Sequence, residues 1–333
     1  MTIRQCISFC LAAASAALFT GAAQAQTKKE VTFAHQDMVV PFRVAIDTGA
    51  LEKATGYKIS WKKFTGGGDV IRAMASGDVQ IGEVGSSPAA AAASQGMDVQ
   101  VFWILDDIAN AEQLIARNGS GVNSVADLKG KKIGVPFVST SHYQLLFALK
   151  DAGLDAKSAQ VLNMRPPEIA AAWERGDIDA TFVWNPALAR VKENGKVLIS
   201  AGDIAKKGKP TFDAIMVSRS WADQNKDFMV ALVKTLAAGD AAYKADKAKW
   251  TADSAEAKSV AKVSGADAKD VPEALADYHF LSLEEQGSPE WLGGGVGKAL
   301  ADTAAFLKEQ GRVTEVQPDY GKFVTDAYVK AAK

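Results

Sequence analysis

Two short turns gather hydroxylated residues where a helix is expected to begin: Gly85-Ser86-Ser87-Pro88 and Ser139-Thr140-Ser141-His142. The first turn of a helix carries N–H groups with no partner inside the helix. A serine or threonine there is a preferred cap, and Pro is tolerated in the first turn. The same N–H groups, at the positive end of the helix dipole, form a ready anion site. Read alone, each turn is equally an ordinary capped helix. Read together, they suit a tetrahedral, permanently charged anion such as a sulfonate or phosphonate, with each charge-assisted hydrogen bond worth about 1.5–3 kcal/mol. His142 is the basic residue beside them, so hydroxyl and amide donors would do most of the holding.

Four acidic residues fall at expected loop or strand ends: Asp37, Glu83, Glu112 and Asp213. Singly, each reads as a solvated carboxylate or a cap as readily as a ligand group. Trp184 closes a strand expected over 180–184, just before Pro186. It reads as core, or as an aromatic wall for an ammonium group. Anion donors, carboxylates and a Trp together describe a site for a zwitterion, amine at one end and acid at the other.

Enzyme chemistry finds less support. The three histidines, His35, His142 and His279, make no metal-binding spacing. There is no GxSxG elbow and no Walker or GxGxxG pattern. Asp106-Asp107 and Glu284-Glu285 are chain neighbours, whose side chains point apart. No cofactor and no metal is expected.

Positioning these residues falls to an ordinary globular composition: 333 residues, 48% hydrophobic and 23% charged, with a formal net charge of -1. That balance gives no reason to expect nucleic acid or an anionic membrane as partner. The first 25 residues are set apart. Arg4, an apolar run from Ile7 to Phe19 and Ala23-Gln24-Ala25 read as an export signal cleaved near Ala25. Both cysteines, Cys6 and Cys10, lie inside it, so the mature chain is expected without disulfides or thiol chemistry.

After the signal, strands are expected over 31–35, 57–62, 79–84 and 99–105, with helices over 42–53, 70–76 and 89–94 between them. Gly66-Gly67-Gly68-Asp69 is a loop in which Asp69 is placed to cap the next helix. A second set follows, with strands over 132–136, 161–164 and 180–184 and helices opening at Ser139 and at Pro166-Pro167. One more strand, 213–218, precedes helices over 225–245, 253–263, 271–278, 297–310 and 318–330. Alternating strands and helices imply mainly parallel sheets covered by helices. The segment 73–80 is echoed by 172–179, each a helix, a Gly-Asp stop, a strand and a Pro-started helix. The expected organisation is therefore α/β with two lobes: residues 26–113 and 214–333 in the first, 114–213 in the second. Two crossover segments, near 106–114 and 212–214, act as a hinge.

These segments resemble a known family. Ala73 to Gly82, Gly85 to Pro88, Val135 to Tyr143, Pro166 to Asp179, Trp184 before Pro186, Pro210 to Asp213 and Phe306 to Gly311 look like the taurine- and sulfonate-binding periplasmic proteins of bacterial ABC importers. The resemblance implies a type II periplasmic-binding fold, a monomeric binder rather than an enzyme, and delivery of a small zwitterion to an inner-membrane permease. It implies that Gly85, Ser86, Ser87, Ser139 and Thr140 hold a sulfonate and that Glu112, Trp184 and Asp213 lie near the amine. The chain departs from the pattern at Glu83, where a neutral residue is expected, at Asn185, where Ala is common, and at Asp37-Met38, which replaces a small hydroxyl pair. With Glu83 and Asp37 both facing the cleft, the pocket would be more acidic than taurine needs and would favour an ω-amino acid with a more demanding cation or a close taurine analogue.

Overall fold

The computed structural model describes residues 29–333; the expected export signal, with Cys6 and Cys10, lies outside the described residues. The chain begins with β1 (Glu30–His35), whose fully buried Phe33 and Ala34 seat it in the core. Helices α1 (Arg43–Thr48) and α2 (Ala50–Thr55) lead to β2 (Lys58–Lys63), α3 (Gly67–Ala75) to β3 (Ile81–Gly85), and α4 (Ser86–Ser94) to β4 (Val99–Asp107). β4 is buried almost throughout and apolar from Val101 to Leu105, as befits a strand covered on both faces. The chain then crosses to a second sheet through β5 (Glu112–Arg117), β6 (Lys132–Val135), α5 (Thr140–Asp151), β7 (Gln160–Asn163), α6 (Pro166–Arg175), β8 (Ala180–Trp184), α7 (Ala187–Lys192), β9 (Gly195–Ser200) and α8 (Ala201–Lys206). β10 (Phe212–Ser218) returns it to the first sheet.

The first sheet has the order β2-β1-β3-β10-β4 and the second β7-β6-β8-β5-β9. In the first, every strand but β10 runs one way; in the second, every strand but β5 does. The two orders correspond strand for strand, and the reversed strand in each is the one delivered by a crossover. The sequence echo falls on equivalent places, since β3 and β8 are the middle strands. Each is preceded by a left-handed glycine, Gly77 at φ 83° and Gly176 at φ 77°, a conformation that favours glycine.

Strand pairing moves each crossover slightly earlier than the expected boundaries. β5 begins at Glu112 in the second sheet and β10 at Phe212 in the first. The remaining chain is helical and packs on the first lobe: α9 (Arg219–Gln224), α10 (Lys226–Ala245), α11 (Ala255–Ser264), α12 (Val271–Ala276), α13 (Leu283–Gln286), α14 (Gly295–Glu309) and α15 (Ala327–Ala332). α14 lies against α4, α11 against α1, and α15 against α10.

Several local expectations are corrected. The helix over 42–53 is two helices, broken at Gly49, which takes a left-handed φ of 64°. α3 starts at Gly67, so Asp69 sits inside its first turn and does not cap it. α4 starts at Ser86 with Gly85 as the cap residue, and no side chain caps it. The final helix over 318–330 is a short 3-10 turn, Gly321–Phe323, followed by α15. Strands β5 and β9 were not expected. β5 is buried through nearly its whole length although it opens with Glu and Gln and closes with Arg, so its burial comes from central placement in the sheet and leaves no alternation to read.

Candidate functional site

Three helix N-termini point at one place between the lobes. Gly67 at the start of α3 and Gly85-Pro88 at the start of α4 come from the first lobe; Ser139-Thr140 at the start of α5 comes from the second. A Cβ on Gly67 would stand 2.7 Å from Pro88 Cγ, and one on Gly85 would stand 2.6 Å from Thr140 Cγ2. Glycine is what lets these turns approach. Ser139 Oγ accepts the His142 N–H at 3.0 Å, a true cap. The N–H groups of Thr140 and Ser141 precede that capped position and have no partner within the helix.

The crossover strands bring carboxylates to the same place. Glu112, the first residue of β5, pairs with Trp184, the last of β8. Asp213, second in β10, pairs with Gly85, the last of β3. The correspondence of the two sheets thus places one acid from each lobe beside the end of a middle strand. Glu112 Oε1 accepts the Thr140 hydroxyl at 2.6 Å, while its buried Oε2 has no donor among the described residues. Burial first, then the nearby Asp213, pushes the Glu112 carboxyl up to about 8; the Thr140 and Ser141 hydroxyls pull the other way. Burial, then Glu83, raises Asp213 to about 7, opposed by a hydrogen bond with Asp106 and by Arg43.

Gln36, Met38, Gly67, Gly85, Pro88, Glu112, Ser139, Thr140, Trp184 and Asp213 enclose a cavity of about 10 Å³. That is room for about one water, far below the 300 Å³ or so of a small-ligand pocket. The lobes meet over it. Trp184 Nε1 donates to Asp37 Oδ1 at 2.9 Å, second lobe to first. Gln144 Nε2 donates to Thr211 Oγ1 at 2.6 Å near the return crossover, and Arg165 reaches Asp69 at 3.5 Å on the rim. A larger hollow of about 330 Å³, bordered by Tyr143, Pro210, Phe212 and Trp291, lies elsewhere and gathers neither Glu112, Asp213 nor the serine turns.

Of the residues singled out in the sequence, Gly85, Glu112, Ser139, Thr140, Trp184 and Asp213 line the cavity. Asp37 touches its edge through Trp184; burial raises its carboxyl, and the Trp184 hydrogen bond opposes that. Ser86 and Ser87 are buried in the first turn of α4, and Ser86 Oγ accepts the Phe212 N–H at 3.4 Å. His142 turns away and stacks on Phe137, ring centroids 4.4 Å apart. Burial, then Arg312, drives its imidazole down to about 3.

Glu83 is corrected: it does not face the cavity. It forms a fully buried, bidentate ion pair with Arg43, at 2.6 and 2.7 Å, and accepts the Gln36 N–H at 3.0 Å. Arg43 also donates to the Met38 and Gln36 carbonyls at 3.1 and 3.3 Å. The pair therefore ties down the loop after β1 that carries Gln36, Asp37 and Met38. Arg43 carries no local signal of burial, because an arginine that opens a helix reads as surface. The unusual acid at position 83 was the available signal that a buried cation had to exist. Gln36 and Met38 carried no signal beyond their place in that loop.

The surroundings of this site match known proteins. The family model described as "NMT1/THI5 like" matches residues 38–248. The taurine-binding periplasmic protein of Escherichia coli strain K12 is 39% identical over 315 residues, covering 95% of this chain and 97% of its own. Among solved structures, the alkanesulfonate-binding protein SsuA from Xanthomonas axonopodis pv. citri, bound to MOPS, superposes with a TM-score of 0.70 at 24% identity, covering 90% of this chain and 97% of its own. The periplasmic aliphatic sulphonate binding protein SsuA from Escherichia coli gives 0.69 at 23%, covering 90% and 99%. At such identities these structures speak for the fold, two mixed sheets flanked by helices. The family match runs from the loop after β1 through both crossovers into α10 and takes in every residue that lines the cavity except Gln36: the chain belongs to the NMT1/THI5 like family.

Proposed function

We propose that this chain is a periplasmic solute-binding protein that captures taurine, or a similar small zwitterionic aminosulfonate, between its lobes and hands it to an ABC import permease. The observation that carries the reading is the meeting of three helix N-termini with one carboxyl from each crossover strand at a single cavity. Neutral N–H and hydroxyl donors suit a sulfonate, whose charge does not titrate; paired acids suit an ammonium. In this reading Gly85, Ser86, Ser87, Ser139 and Thr140 take the sulfonate, and Glu112, Trp184 and Asp213 the amine. The name of the 39%-identical relative supports the same cargo. Export with cleavage near Ala25, and action as a monomer, belong to the same proposal.

The cavity is too small for such a ligand as the lobes stand. Capture therefore requires them to part about the segments before β5 and β10 and to close again over the bound molecule, the hinge motion of binding proteins. The cation end has a third acid at its edge, since Asp37 bonds to Trp184, the ladder partner of Glu112. That favours, as a second reading, an ω-amino acid or aminophosphonate with a stronger cationic demand.

A thermal-shift panel tests the zwitterion reading. Taurine should raise the melting temperature, while ethanesulfonate and ethylamine, each half of it, should do so weakly or not at all. Equal shifts from taurine and ethanesulfonate would remove the role given to the acids. Taurine recovered unchanged from the complex would set binder apart from enzyme.

A further inference from the structure

Asp106 is the penultimate residue of β4, fully buried, and directly opposite Asp213 in the antiparallel ladder. Among the described residues, neither of its carboxyl oxygens receives a hydrogen bond from a conventional donor. The charged groups around it are acidic: Asp213 on β10, Asp107 beside it and Asp240 on α10. The phenol of Tyr278 shares this field and is itself raised by burial first and then by Asp106. Arg43 is committed to Glu83 and acts on Asp213.

A buried carboxylate without cation or donor is so unfavourable that the group takes up a proton instead. Once protonated, Asp106 is an O–H donor, and its ladder partner Asp213 is the acceptor beside it. Two carboxyl groups forced together in this way hold one proton between them. Burial, then Asp213, drives Asp106 well above the ordinary carboxylate range, in keeping with that geometry.

We infer that Asp106 is a positioning residue for the cationic end of the ligand: it carries the proton of an Asp106–Asp213 pair and so presents Asp213 to the cleft as the charged member. The inference rests on the reading of the cleft as an ammonium receptor. It deepens that reading, because the pair then offers one negative charge rather than two, the match for a single ammonium. Asp106 does not touch the cavity and acts only through Asp213.

Two variants test this in the full chain. Asp106→Asn keeps an N–H donor toward Asp213 but cannot titrate; Asp106→Leu keeps similar bulk without a donor. The first readout needs no ligand: thermal unfolding from about pH 5 to about pH 9. The folded wild type holds a proton that the unfolded chain releases above its ordinary carboxyl pKa, so its stability falls as pH rises toward the folded value. Asp106→Asn lacks that loss, and its melting temperature should overtake the wild type above neutral pH. An unchanged pH profile, or a lower melting temperature at about pH 8, would overturn the proton assignment. The second readout is taurine titration at pH 7. Asp106→Asn should bind within about threefold of wild type and Asp106→Leu at least about tenfold more weakly. A tenfold loss in Asp106→Asn would mean that Asp106 serves as a second anion, and wild-type affinity in Asp106→Leu would mean that it positions nothing. Failure of the wild type to bind taurine would remove the ligand reading, while the unfolding profile would still decide the state of Asp106.

Discussion

Gly85→Ala adds one methyl group where the lobes meet. Gly85 has φ -72° and ψ 165°, an extended backbone that alanine adopts freely. The space is the obstacle. The new Cβ would lie 2.6 Å from Thr140 Cγ2 and 3.2 Å from both Thr140 Oγ1 and Asp213 Oδ1, where carbon atoms ordinarily rest about 3.5–4.0 Å apart. The Asp213 contact is within the first lobe and yields to a shift of a few tenths of an ångström. The Thr140 contact joins the lobes, and they relieve it by standing apart. Overpacking of this kind costs about 1–3 kcal/mol, charged here against closure. Taurine affinity should therefore fall by about 5- to 150-fold, while ligand-free unfolding changes little. Calorimetric titration reads the first and thermal melting the second. Thr140→Ser in the same background removes the offending methyl and should restore most of the loss, a coupling that a double-mutant cycle isolates. Affinity within about twofold of wild type, or no rescue by Thr140→Ser, would refute the claim that ligand is held by closure of Gly85 onto Thr140.

Three other variants probe the parts around that contact. Glu83→Ala leaves Arg43 buried without its partner and should destabilise the chain by about 3–5 kcal/mol, seen as a lower denaturation midpoint; a loss below about 1 kcal/mol would show that the pair holds nothing together. Trp184→Phe removes the 2.9 Å bond to Asp37 across the cleft, worth about 1 kcal/mol or more, and should enlarge the ligand-bound radius of gyration in solution scattering; an unchanged radius and affinity would make the bond incidental. Glu112→Gln concerns a group raised to about 8 from an ordinary 4.5. Between those values the folded chain keeps a proton that the unfolded chain gives up, so the wild type loses stability as pH rises. The Gln variant should gain on it by about 1 kcal/mol or more between pH 5 and pH 8, and a constant difference across that range would argue against a buried proton at Glu112.

Much of this was readable in the chain. The strand–helix alternation gave the lobes, and the echo of 73–80 in 172–179 marked the middle strand of each sheet. Ser139-Thr140, Gly85, Glu112, Trp184 and Asp213 meet at one cavity because strand termini and helix starts of the two sheets collect at facing edges. What escaped was set by long-range pairing. β5 has no alternation because both its faces are covered. Glu83 read as a ligand group because its partner, Arg43, stands 40 positions away. Asp106 and Asp107 are chain neighbours that point apart; the pairing that matters for Asp106 is across the ladder to Asp213, which local spacing does not reveal.

The most direct measurement is calorimetric titration of the full chain with taurine at pH 7. Closure of the lobes over a zwitterion predicts a single site with a dissociation constant that is roughly micromolar or tighter, about -8 kcal/mol. No heat, and no shift in melting temperature at millimolar taurine, would contradict it.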